Sequence, residues 1–116
     1  KMAMLLEVIN FTIPGVPCIY QGDEYGESGA NDPDNRHMMK FAGLNNEQQA
    51  FLSHVKQLAQ LRRTNMALIY GEYIPIEATD NMLHFQRVYL DNTADVIIAL
   101  DGESSITING EKKFTL

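Results

Sequence analysis

The chain is predicted to be α+β, with two helices flanking one short strand and a small antiparallel sheet after them. Three observations carry this. Residues 2–11 form an apolar run of helical character, Met-Ala-Met-Leu-Leu-Glu-Val-Ile-Asn-Phe. Phe51, Leu52, Val55, Leu58, Ala59 and Arg62 then recur at helical spacing. After Gly71 the apolar period falls toward two, and the segments between carry turn residues.

The first helix is apolar on almost every side, as expected of a helix covered from several directions, and should end near Ile13, ahead of Pro14. The strand is the run of β-formers from Val16 to Tyr20. It enters through Pro14 and Pro17 and leaves through Gly22, with Asp23 and Glu24 just past its end. From Gly26 to Leu44 the chain turns to Gly, Asn, Asp and Pro; connections of that length are usually functional. The second helix should open at Asn45, with Gln48 completing a capping box, and should close with Arg62 and Arg63 at the negative end of its dipole. Strands are expected at Tyr73 to Ile76, Met82 to Leu90, Val96 to Leu100, Ile106 to Ile108 and Lys113 to Leu116. The turns between them are expected at Thr79-Asp80-Asn81, Asp91-Asn92, Asp101-Gly102 and, as a type I′ hairpin, Asn109-Gly110.

At 116 residues, 45% hydrophobic and 21% charged, the chain holds about one small domain. A net charge of −6 disfavours nucleic acid and anionic membranes as partners, and no apolar run approaches the roughly 20 residues that span a bilayer. Cys18 is the only cysteine, which rules out a disulfide framework, and it reads as a small buried hydrophobe. Lys1 falls within the apolar helical run, so the natural N-terminus is expected upstream, and localisation is left open.

Gly15-x-Pro17-x-x-Tyr20-x-Gly22-Asp23-Glu24, followed by Asp32-Pro33-x-x-Arg36, resembles the α-amylase superfamily of retaining glycoside hydrolases, glycoside hydrolase family 13. Within it the pattern is similar to the neopullulanase and cyclomaltodextrinase branch. The resemblance implies that residues 1–69 are the C-terminal segment of a (β/α)8 catalytic barrel and 70–116 the start of a C-terminal antiparallel β domain. It implies activity on α-glucans, with Asp32 and Arg36 lining glycone-side subsites and Glu24 and Tyr25 supporting the site loop. The family has Pro-Met and then Trp where this chain has Met38-Met39-Lys40-Phe41, so the indole is lost. The family's nucleophile, acid/base and transition-state-stabilising carboxylates match nothing in these residues, and no catalytic residue is assigned. A full barrel takes about 250 residues; a fragment or a stripped-down relative, inactive alone, is therefore expected.

Asp32 and Arg36 suit a sugar because a carboxylate accepts from two neighbouring hydroxyls, while a guanidinium fork donates to oxygens and holds the carboxylate in place. The plainer reading is a loop salt bridge, worth little if exposed. Asp23 and Glu24 are not read as a retaining pair, whose carboxyls stand about 5–5.5 Å apart, because adjacent residues at a strand end point to opposite faces. Glu24 is instead expected to hold the loop by hydrogen bonding. Among the aromatics, Tyr20 is read as core and Phe41 as packing under the loop, while Tyr25 is left open between packing and sugar stacking. Asp32-x-Asp34-Asn35 lacks the remaining ligands of a calcium loop, and His37, His54 and His84 lack zinc spacing. No metal or cofactor is expected. The Asn10-Phe11-Thr12 sequon falls in the buried-looking helix and is read as accidental. The expected partner is an α-glucan oligosaccharide, with self-association through the apolar helix surface as a further expectation. Two rival readings are a non-catalytic glucan-binding module and a structural, self-associating piece.

Overall fold

The computed structural model describes residues 2–19, 22–26, 39 and 42–116. Helix α1 spans Met2–Thr12. It buries Met4, Leu5, Val8 and Phe11, while Met2 and Leu6 are each 58% exposed. The all-round apolar run is therefore covered on one side only, by the helices and sheet that follow. Thr12 closes the helix by donating from its hydroxyl to the Val8 carbonyl at 2.7 Å.

Helix α2 spans Asn46–Thr64 and begins at the expected capping box. The Asn45 side chain accepts from the Gln48 N–H at 2.8 Å and the Gln48 side chain accepts from the Asn45 N–H at 3.0 Å. A short helix α3, Met66–Tyr70, follows after Asn65. Its Ala67 N–H donates to Oδ1 of Asn92 at 2.7 Å, a long-range cap that no local pattern announces. Gly71 closes α3 in very tight quarters: a Cβ there would lie 2.1 Å from the Ala67 carbonyl oxygen.

The sheet is an antiparallel meander in the order β1-β2-β3-β4-β5. Its strands are β1 Glu72–Ala78, β2 Met82–Tyr89, β3 Asn92–Ala99, β4 Ser105–Ile108 and β5 Glu111–Thr115. The expected period of two places the burial. Register pairs Phe85 with Val96, Arg87 with Ala94, Val96 with Ile106 and Ile106 with Phe114. That face is buried and joins α1, α2 and α3 in one core containing Val8, Leu58, Leu68, Phe85, Val96, Ile106 and Phe114. Pro75 sits on edge strand β1 next to a bulge, where a missing N–H costs least. The Asn109-Gly110 turn has positive φ at both positions, 51° and 86°, as a type I′ hairpin requires. The β2–β3 turn is Leu90-Asp91, one residue earlier than expected, and puts Leu90 at φ 54°.

Two expectations are corrected. Val16 to Ile19 form no strand, and Tyr20 lies outside the described residues. An isolated parallel strand gains nothing without hydrogen-bonded neighbours, and the described residues offer none beside it. Cys18 is exposed rather than buried, because its segment lies over the surface, tied by the Asn10 side-chain amide donating to the Cys18 carbonyl at 3.1 Å.

Candidate functional site

Past the extended segment, a 3₁₀ turn over Asp23–Tyr25 is bracketed by Gly22 at φ 98° and Gly26 at φ 73°. Both angles favour glycine, since a side chain is strained there. Oε2 of Glu24 accepts from the Gly22 N–H at 2.9 Å, closing the turn on itself. Tyr25 is 2% exposed, so its ring is packed away and offers no face to a sugar in this arrangement. Gly26 lies against the Phe51 ring of α2, where a Cβ would make contacts of 3.6 Å. Asp32 and Arg36 lie outside the described residues, as do Phe41 and His37.

Between α1, the turn and α2 runs a cleft of about 260 Å³, lined by Ala3, Leu6, Glu7, Asp23, Gly26 and Phe51. A second of about 310 Å³ adjoins it and is lined by Tyr25, Asn45, Glu47 and Gln48 together with Ala3, Gly26 and Phe51. Oε2 of Glu7 is buried without a hydrogen-bond partner. Burial first, and then the charges of Asp23 and Glu24, push the Glu7 carboxyl above its ordinary range. The sequence reading passed over Glu7; its one signal is that it is the sole charged residue of an otherwise uncharged helix.

Two buried guanidiniums fix where this segment starts. Arg62 was expected to decorate the end of α2; it is instead 7% exposed. It donates to the Phe11 carbonyl at 3.2 Å, the Ile13 carbonyl at 2.8 Å and the Gly15 carbonyl. Arg87 of β2 donates to the Gly71 carbonyl at 2.9 Å and the Thr12 carbonyl at 2.7 Å. These cations satisfy the orphan carbonyls at the negative end of α1 rather than of their own elements. Burial lowers the pKa of both, and the charge of Arg62 lowers that of Arg87 further.

On the far face of the sheet Asp95 accepts from Gln86 at 3.1 Å and meets Nε2 of His84 at 2.8 Å. The His54 ring packs edge-on to Phe114 at 5.8 Å. Among the described residues no three His, Cys, Asp or Glu side chains are placed to hold a metal ion, and no helix is long and apolar enough to cross a membrane.

No family model matches the chain. It is 35% identical over 101 residues to a cyclomaltodextrinase of Geobacillus thermopakistaniensis (strain MAS1), covering 87% of this chain and 17% of that protein. It is 33% identical over 109 residues to a cyclomaltodextrin glucanotransferase of Bacillus sp. (strain 17-1), covering 91% of this chain and 15% of the relative. The fold matches an α-amylase of Geobacillus thermoleovorans solved with acarbose, at a TM-score of 0.77 and 29% identity, over 90% of this chain and 23% of that one. The chain thus spans less than a fifth of the length of these two curated relatives.

Proposed function

Because the chain belongs with the C-terminal part of the α-amylase family in both sequence and fold, we propose that it is the portion of an α-glucan-active enzyme that supplies subsite residues and the β domain. The whole enzyme acts on starch, maltooligosaccharides, pullulan or cyclodextrins by a retaining mechanism, through a covalent glycosyl-enzyme. Residues 1–69 complete its barrel and 70–116 form its C-terminal β domain. Asp32 and Arg36 contact glycone-side hydroxyls; Glu24 and Tyr25 shape the turn that leads to them. The observation that carries this reading is the 35% identity to a cyclomaltodextrinase across 87% of the chain. The closed Glu24 turn supports it, since a carboxylate committed to the Gly22 N–H is suited to holding a loop.

The 116-residue chain taken by itself binds sugar without turning it over. Amide-resolved NMR with added maltotriose tests this: saturable shifts around Asp32 and Arg36, lost in Asp32→Asn, are expected. Well-dispersed peaks that stay still on adding sugar would remove the binding role. Release of reducing ends in proportion to chain concentration, surviving repurification, would overturn the lack of turnover.

Self-association is a second reading, favoured by exposed apolar residues. Val16 is 94% and Tyr70 64% exposed, and both line an open groove of about 540 Å³ with Pro17 and Ile69. Light scattering across a concentration series should show a dimer that Val16→Asp disperses; a monomer throughout refutes it.

A further inference from the structure

We propose that Arg62 and Arg87 are positioning residues: their guanidiniums clamp the end of α1 and residues 13–15 between α2 and the α3–β1 junction, and so set where the site loop leaves the fold. That this segment leads to sugar-contacting residues rests on the function proposed above; the clamp itself stands on its contacts. Helix α1 carries no basic residue in its last turn, and Pro14 follows its end. The carbonyls freed there need donors from elsewhere. Arg62 of α2 supplies them to Phe11, Ile13 and Gly15, and Arg87 of β2 supplies one to Thr12.

A cap for the helix dipole would need only a positive charge near Phe11 and Thr12. Both arginines do more. Arg62 follows the chain beyond the helix, to Ile13 at 2.8 Å and on to Gly15. Arg87 donates from Nη1 to the Thr12 carbonyl at 2.7 Å and from Nε to the Gly71 carbonyl at 2.9 Å, so one planar group bridges α1 to the residue between α3 and β1. That second anchor is firmly placed. The Gly71 N–H donates to the Ala67 carbonyl at 2.9 Å, backbone crowds Gly71 closely, and Asn92 caps α3 from the sheet. Farther along, the Asn10 side-chain amide donates to the Cys18 carbonyl, which carries the position set at the end of α1 forward along the segment. A lysine would keep the charge at either place, but as a single flexible donor it cannot reproduce a bridge made by the fixed nitrogens of a guanidinium.

The test exploits that difference. A nitroxide is attached to Cys18, which is the only cysteine and is exposed, in the full chain. Amide line broadening is then read by NMR without sugar, at concentrations where light scattering gives a monomer. In the wild type the Arg63, Ile69 and Tyr70 amides should broaden, since they share one groove with Val16 and Pro17. Arg87→Lys should lose the broadening at Ile69 and Tyr70, and Arg62→Lys that at Arg63, while the Val96 and Ile106 amides keep their wild-type shifts. Phe114→Leu, which thins the core from β5, should keep the wild-type broadening. No broadening in the wild type, wild-type broadening in either lysine variant, or its loss in Phe114→Leu as well overturns the clamp. Maltotriose binding by the wild type decides the sugar-binding reading separately.

Discussion

Replacing Arg87 with methionine is expected to lower the stability of the chain by about 2–4 kcal/mol, and two opposing effects set that figure. Arg87 is 1% exposed and satisfies two backbone carbonyls, those of Gly71 at 2.9 Å and Thr12 at 2.7 Å. Hydrogen bonds from a charged donor contribute about 1.5–3 kcal/mol each, and an orphaned buried carbonyl costs about 1–3 kcal/mol. Against this, methionine removes a buried cation whose lowered pKa records its desolvation and the repulsion of Arg62. Replacing buried charges with apolar residues recovers about 1–4 kcal/mol where no partner is stranded. Here two partners are stranded, so the loss wins. Urea unfolding followed by circular dichroism reads it directly: with a slope of roughly 1.5 kcal/mol per molar, the midpoint should fall by about 1.5–2.5 M. A variant as stable as the parent, or more stable, would show that desolvation outweighs both bonds and that the guanidinium does not act as a clamp.

Stability should also depend on pH through Glu7. Its pKa is raised in the folded chain, so the folded state holds the proton more tightly. Its favourable contribution is complete below the ordinary 4.5 and is lost as pH rises through the raised value. Denaturation midpoints of wild type and Glu7→Gln should therefore diverge in favour of the glutamine variant above that window; parallel profiles refute it. Gly71→Ala places a Cβ 2.1 Å from the Ala67 carbonyl oxygen and 2.9 Å from the Val88 nitrogen. Because backbone cannot yield cheaply, a loss of about 3 kcal/mol or more is expected, and a melting temperature within a few degrees of the parent contradicts it. Leu90 is held at φ 54° and is 82% exposed. Leu90→Gly relieves about 1–2 kcal/mol of backbone strain and gives back about 0.5–1 kcal/mol in chain entropy, for a net gain of up to about 1.5 kcal/mol in chemical denaturation; a loss of stability contradicts the strain assignment.

The parts of the fold legible in the sequence are those set by near neighbours. The capping box at Asn45 and Gln48 needs three residues, the type I′ turn at Asn109-Gly110 needs two, and the period-two burial of β2 and β3 needs only alternation. What escaped depends on distant partners. Val16 to Ile19 carry strand-forming residues, but a strand exists only beside another. The N-terminal cap of α3 comes from Asn92, 25 positions away. Of the candidate site, the turn over Asp23–Tyr25 was read only as the end of a strand, and the burial of Tyr25 and the exposed position of Cys18 were decided by packing. Asp32 and Arg36 fall outside the described residues, so for them the sequence motif remains the ground of the proposal.

Arg62 shows why local reading misleads most where charge meets a helix end. Two arginines in the last turn of α2 suit its own dipole, and only Arg62 continues the helical spacing of Val55 and Leu58. The structure separates them by burial: Arg63 is exposed, while Arg62 turns inward to α1, 47 to 51 positions earlier. A buried cation needs concentrated negative potential, and in its neighbourhood the carbonyls at the end of α1 provide it. Arg87 reaches the same helix end from the sheet, 75 positions from Thr12. The segment that leads into the 22–26 turn therefore starts from a point held by α2 and β2 together. On the proposed division at residue 69, the β domain thus does more than follow the catalytic part: through Arg87 it helps set the position from which the site loop departs.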